Sequence, residues 1–196
     1  MSQVQQKKYW IKPIKRDKKR VSKGLWVWGQ FNHDSVKRIE SAKKIANNEL
    51  MGVNFEAHIT LSGPFQGLGS HTFKKLQYIA NRFNKIKIFS NKIETKEDFF
   101  QALFLKIQEK KDLLELKKFI DKELALPHIE YFPHISLFYG DQPEDKKKEV
   151  VSKISTLRGN FILDRISLVD VDEEARQWKV IETYLLQGNA TCEGKT

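Results

Sequence analysis

Apolar residues recur along this chain at two spacings, one suited to strands and one to helices. Leu25-Trp26-Val27-Trp28 leads to Phe31 between Gly24 and a turn at Asn32 to Ser35, which predicts a buried strand over 24–31. Val36, Ile39, Ile45 and Leu50 follow at an imperfect helical spacing. A second strand is predicted over 55–61, closed by Ser62-Gly63-Pro64. After a loop marked by Gly67, Gly69 and Ser70, one side of a helix from His71 to Phe83 carries Phe73, Leu76, Ile79, Ala80 and Phe83. Lys85 to Phe89 alternates as a strand, and Phe99 to Gln108 reads as another. Leu113, Leu116, Ile120 and Leu124 stripe a helix from Glu109 to Leu124. Pro127 to Pro133 lead into a strand at His134, and a lysine-rich helix covers about 144–154. Two closing strands, about 160–171 and 177–187, meet through the acidic turn Asp170-Val171-Asp172-Glu173-Glu174. Strands and helices alternate, yet several strand pairs have short connections. This favours an α+β fold with mixed or antiparallel sheets over a doubly wound parallel sheet.

Two of these strands carry the same phrase. His58-Ile59-Thr60-Leu61 and His134-Ile135-Ser136-Leu137 stand 76 positions apart. Side chains alternate faces along a strand, so each phrase sends its Ile and Leu into a core and sets an imidazole and a hydroxyl on the other face. Both have an aromatic three residues before the His (Phe55 and Tyr131) and run into a glycine. A single strand histidine is as readily explained by a backbone hydrogen bond; the repeated pair is harder to dismiss. The phrases hold comparable places in two similar halves, so two lobes related by an approximate twofold are expected, with helices outside and the paired faces lining a central cleft.

Two imidazoles facing one phosphodiester divide its hydrolysis near neutral pH, one as base for water and one as acid for the leaving oxygen. Thr60 and Ser136 then donate to the nonbridging oxygens. Which histidine takes which role is open on sequence alone. The chain has no Gly-rich phosphate loop ending in Lys-Ser/Thr, no zinc-type histidine spacing on a helix and no Asp/His ligand cluster, so neither metal nor cofactor is expected. Trp26 and Trp28 share a face of the first strand; Trp26 is the candidate to stack a base, with core packing as the alternative reading. His33, His71 and His128 lack the hydroxyl partner and are read as surface or capping residues.

Composition changes this picture in one place. Among 196 residues the net charge is +10, but residues 1–23 hold nine Lys or Arg against Asp17 alone, leaving +2 for the remainder. The basic character belongs to an N-terminal arm. Such an arm suits contact with RNA through counterion release, or is a solvated extension. The domain is expected over 24–187, one unit of two lobes, followed by a polar tail at 188–196. No run reaches the length of a membrane span, the N-terminus lacks a signal-like apolar core, and Cys192 stands alone. A cytoplasmic monomer without membrane contact is expected.

The motifs His58-Ile59-Thr60-Leu61 and His134-Ile135-Ser136-Leu137 resemble the paired signature of the 2H phosphoesterase superfamily. Phe132-Pro133-His134-Ile135-Ser136-Leu137-Phe138-Tyr139-Gly140-Asp141 is most similar to its cyclic phosphodiesterase branch. The resemblance implies a pseudo-symmetric two-lobed α+β fold and metal-independent hydrolysis of 2′,3′-cyclic nucleotides, or of the cyclic phosphate of ADP-ribose. It implies His58 and His134 as the acid/base pair, Thr60 and Ser136 as phosphate binders, and Tyr139 as an aromatic lining the site. Strict alternation from His134 would put Phe138 there instead, so Tyr139 requires a bulge or turn near Gly140. Two features depart from the pattern: Ala57, where a proline is common, and the basic arm. The arm keeps a second reading open, a 2′,5′-phosphodiesterase or RNA end-processing enzyme, and beside it a non-catalytic RNA-binding module.

Overall fold

Among the described residues every strand pairing is antiparallel, and the strands form one eight-stranded sheet. A computed structural model describes residues 23–127, 129–171 and 175–188. Residues 1–22 of the basic arm, residues 189–196 of the tail with Cys192, His128 and Asp172 to Glu174 lie outside the described residues. In chain order the elements are β1 (Leu25–Phe31), α1 (His33–Leu50), β2 (Ile59–Phe65), α2 (Ser70–Arg82), β3 (Ile86–Ser90), β4 (Lys92–Thr95), β5 (Leu103–Lys106), α3 (Lys111–Leu124), β6 (His134–Phe138), α4 (Glu144–Lys153), β7 (Gly159–Asp170) and β8 (Lys179–Leu185). The sheet order is β3-β7-β1-β2-β6-β5-β4, and β8 also pairs with β7.

The two lobes meet at one place in this sheet. β2 and β6 pair through Ile59 opposite Ile135, the residues that follow the two histidines. The helices then cross over. α1 follows β1 of the first lobe but packs on β6 and α4, while α3 follows β5 of the second lobe and packs on β2 and α2. This reciprocal exchange ties the lobes together and buries one continuous apolar core. Ile59, Leu61, Ile135 and Leu137 are all within it, as alternation requires.

Local chemistry explains most boundaries. The Asn32 side chain accepts from the Ser35 amide at 3.1 Å and opens α1. Ile39, Ala42, Ala46 and Leu50 form the buried stripe of α1, whereas Ile45 faces solvent. Small alanines complete the face that the larger apolar residues spaced imperfectly. The second predicted strand is displaced: it spans Ile59 to Phe65 and runs through Ser62-Gly63-Pro64, because β1 pairs along it as far as Leu25 opposite Phe65. Gly63 has φ 131°, and a Cβ there would lie 2.8 Å from the Trp26 ring, so both backbone and packing select glycine. The predicted strand from Phe99 to Gln108 is shorter than expected. Asp98 caps a 3₁₀ turn at Phe99 to Gln101, leaving β5 as the strand, and it pairs with β4, which the periodicity did not foretell.

Candidate active site

The register at Ile59–Ile135 places both histidine phrases on one face. Carried one residue either way, it sets His58 opposite Ser136 and Thr60 opposite His134, since opposed residues in an antiparallel pair share a face. A cleft of about 440 Å³ lies against this face, lined among others by Trp26, Trp28, His58, Thr60, His134 and Tyr139. Its size is that of a pocket for a small organic ligand.

Both rings are held in the same way. His58 Nδ1 lies 2.7 Å from the Glu56 carbonyl and His134 Nδ1 lies 2.9 Å from the Phe132 carbonyl, in each case two residues back. A carbonyl only accepts, so Nδ1 carries the proton and donates. That leaves Nε2 of each ring as the nitrogen free to exchange a proton with a ligand.

Their surroundings differ. The Trp28 indole stacks on His58 at 3.7 Å with planes 6° apart, while Phe55 and Trp178 meet the ring edge-on. Burial drives the His58 pKa down to about 3; Lys43 and His134 push the same way, against the Glu56 carbonyl, which favours the protonated ring. Lys43 is itself buried, bonded to Glu40 and to the Phe55 carbonyl, and burial lowers its pKa. His134 sits between Phe104 and Phe132 and retains partial exposure. Its pKa is lowered by burial, raised by the Phe132 carbonyl, lowered by Lys96 and raised by Asp98.

The remaining sequence candidates divide. Thr60 reaches the cleft wall beside the histidines. Ser136 is buried just behind it, with Oγ donating to the Phe100 carbonyl at 3.2 Å and bonded to the Tyr139 hydroxyl. Tyr139 does line the cleft, because β6 is bulged. Phe104 opposes Ser136 while Leu103 opposes Phe138, so one extra residue of β6 is accommodated between them. Leu137 and Phe138 both enter the core, and Tyr139 is re-aimed to the cleft, where its ring stacks on Phe55 at 3.9 Å. Burial raises the Tyr139 pKa and keeps the phenol neutral. Trp26 lines the cleft with its indole N–H on the Lys23 carbonyl. The tryptophan on the histidine is therefore Trp28, one alternation further along β1. Phe100 and Trp178, which no motif marked, face the same cleft with rings 6.0 Å apart. His33 and His71 are exposed. Among the described residues no group of three or more His, Cys, Asp or Glu is placed to hold a metal ion, and no helix is long and apolar enough to cross a membrane.

A pseudo-twofold antiparallel sheet with a His-x-Thr strand beside a His-x-Ser strand is the architecture of the 2H phosphoesterases. Among solved structures, a Thermus thermophilus protein, TT0787, superimposes with a TM-score of 0.59 at 13% identity, covering 84% of this chain and 98% of that one. Escherichia coli LigT complexed with 3′-AMP superimposes with a TM-score of 0.53 at 12% identity, covering 83% and 97%. Such likeness defines the fold. In sequence, a cyclic phosphodiesterase of Arabidopsis thaliana is 24% identical over 166 residues, 80% of this chain and 90% of that protein. The model of the family described as cyclic phosphodiesterase-like protein matches residues 24–186. The chain belongs to the cyclic phosphodiesterase-like family, and it is a phosphodiesterase.

Proposed function

We propose that this enzyme hydrolyses 2′,3′-cyclic phosphates of nucleotides, or related cyclic phosphates, by acid/base catalysis between His58 and His134 without a metal ion. The observation that carries this reading is the matched pair of Nδ1–carbonyl bonds, which leaves two Nε2 atoms serving one cleft. His58, held neutral by burial under Trp28, takes the proton of the attacking water. The water oxygen bonds to phosphorus, and the P–O bond to one ribose oxygen breaks. His134 supplies the proton to that oxygen. Burial and Lys96 lower the His134 pKa, and the bound phosphodiester anion, together with Asp98, opposes them in favour of the imidazolium the step needs. Thr60 donates to a nonbridging oxygen, while Ser136 is positioned by Phe100 and Tyr139 to support the second. A nucleobase finds aromatic surface on Trp26, Phe100 and Trp178. LigT, a structural relative, has been solved with 3′-AMP, NADP+ and ATP, which supports a nucleotide ligand for this cleft.

The test is hydrolysis of 2′,3′-cyclic AMP in excess EDTA, beside 2′,5′-linked diadenosine monophosphate and an RNA ending in a cyclic phosphate. Turnover of the mononucleotide under chelation is expected. Cleavage of the RNA alone would transfer the assignment to RNA end processing, with the basic arm as the RNA contact. Silence on all three would remove the cyclic-nucleotide reading and point to another phosphodiester, such as the cyclic phosphate of ADP-ribose.

A further inference from the structure

Lys43 and Lys44 are neighbours on α1, but only Lys44 reaches solvent; the Lys43 side chain is 1% exposed. A lysine is almost never buried so fully unless it is paired. One partner is Glu40, a turn back at 2.7 Å, and its carboxylate is 39% exposed. An ion pair with a partner so well hydrated returns little of the cost of desolvating the ammonium. The other partner lies across the fold. The ammonium donates to the Phe55 carbonyl and stands 4.3 Å from the centre of the Phe55 ring.

Phe55 belongs to residues 52–57, which join α1 to the first histidine outside any helix or strand. This segment aims the ring. His58 Nδ1 donates to the Glu56 carbonyl at 2.7 Å, and peptide planarity leaves only the two dihedrals of Glu56 between that carbonyl and the one Lys43 holds. The Glu56 side chain is pinned as well, accepting from Gln30 at 2.6 Å. The Phe55 ring carries the same restraint into the cleft, edge-on to His58 with ring centres 6.2 Å apart and stacked on Tyr139 at 3.9 Å. The second lobe has similar parts joined differently. The Lys117 ammonium of α3 stands 5.6 Å from the centre of the Tyr131 ring, three residues before His134. It pairs with Asp121, however, and the chain entering β6 is held by backbone instead, the Ile107 amide donating to the Pro133 carbonyl at 3.1 Å.

We infer that Lys43 is a positioning residue for His58: its bond to the Phe55 carbonyl sets the Glu56 carbonyl, which in turn fixes the ring as the Nδ1–H tautomer with Nε2 free for the cleft. The inference rests on the two-histidine site proposed above and adds to it a residue that touches neither substrate nor the reacting atoms. The charge of Lys43 has a second consequence. Lys43 from α1 and His134 from β6 both disfavour the imidazolium of His58, so the residue that fixes the tautomer also favours the neutral ring.

The experiment compares the full chain with Lys43→Met and Lys43→Gln, using 15N-labelled histidine and 2′,3′-cyclic AMP as substrate. Methionine fills the same space without a donor. Glutamine is one atom shorter than lysine, so its amide can meet Glu40 and falls short of Phe55. At mildly alkaline pH the His58 15N shifts of the full chain should report the Nδ1–H tautomer. In each variant they should move toward a mixture of tautomers while those of His134 stay, and kcat should fall ~10-fold with KM changed by less than about twofold. A folded variant that keeps either the His58 shifts or the kcat of the full chain would overturn the inference. An equal change at His134 would overturn it too, by showing a general loosening of the site. Glu40→Gln removes the ion pair and keeps the donor to Phe55, so the His58 tautomer should survive it; its loss there would place the effect in the ion pair and overturn the positioning role. Failure of the full chain on 2′,3′-cyclic AMP would overturn the phosphodiesterase reading, and the tautomer of the variants would then decide the role of Lys43 by itself.

Discussion

His58 and His134 begin as copies of one sequence phrase and end in unlike surroundings. Both rings are oriented by the carbonyl two residues back, and each directly precedes one residue of the Ile59–Ile135 link. Yet His58 lies flat beneath Trp28 near the buried Lys43, while His134 is partly exposed beside Phe104 and Phe132; burial lowers the pKa of both rings, and at His134 the Asp98 charge opposes that shift. The repeated motif orients both rings alike. The unequal neighbours make the two rings differ in burial and in nearby charge, and the proposed division into base and acid rests on that difference.

The comparison breaks most severely when either ring is removed. His58→Ala and His134→Ala should each lower kcat on the hydrolysed substrate by at least ~10²-fold with an unchanged circular dichroism spectrum. Near-normal turnover in either variant would end the two-histidine scheme. Next in size is a stability difference. The His58 pKa is about 3 when folded and near 6.5 when unfolded, so between these values the unfolded state binds more protons. The contribution is complete above the unfolded pKa and is lost as pH falls through this window. Between pH 7 and pH 5 the wild type should lose about 2 kcal/mol more than His58→Gln in denaturant titrations. Equal losses would place the acid sensitivity elsewhere.

The cause of the asymmetry is tested by Trp28→Leu, which should raise the His58 titration midpoint by about one unit, read from imidazole NMR shifts. No movement would show that the stacked indole is not what desolvates the ring. The smallest effects concern the hydroxyls. Thr60→Ala should reduce kcat/KM roughly tenfold, the worth of one hydrogen bond to a charged oxygen. Ser136→Ala should cost less, because its hydroxyl already answers to the Phe100 carbonyl and Tyr139. A larger cost at Ser136 would mean that it turns from those partners to the phosphate.

Much of this was legible before any coordinates. Alternation in two short strands assigned Ile59, Leu61, Ile135 and Leu137 to the core and the four polar residues to the opposite face, since period two leaves no other choice once one face is buried. The limits of β5 were not legible, because the Asp98-capped turn interrupts an apolar run whose composition reads as strand. Trp26 was preferred to Trp28 for a related reason. Both lie on the cleft face of β1, and only the pairing of Trp28 with Thr60 puts the indole against His58. Phe100 and Trp178 carry no local signature; they reach the cleft from a turn and from the edge of β8.

The sequence by itself determined which residues of the two phrases enter the core and which turn away from it, because strand periodicity is a local property of the backbone. It also carried the doubled motif from which a pseudo-twofold is expected. Tertiary structure decided what lies above and around those groups. The indole on His58, the bulge that re-aims Tyr139 and the bond from Ser62 to Asp121 all depend on which distant segments the fold brings together. Desolvation, and with it the protonation state of each histidine, is a property of that assembly and of no single stretch of chain.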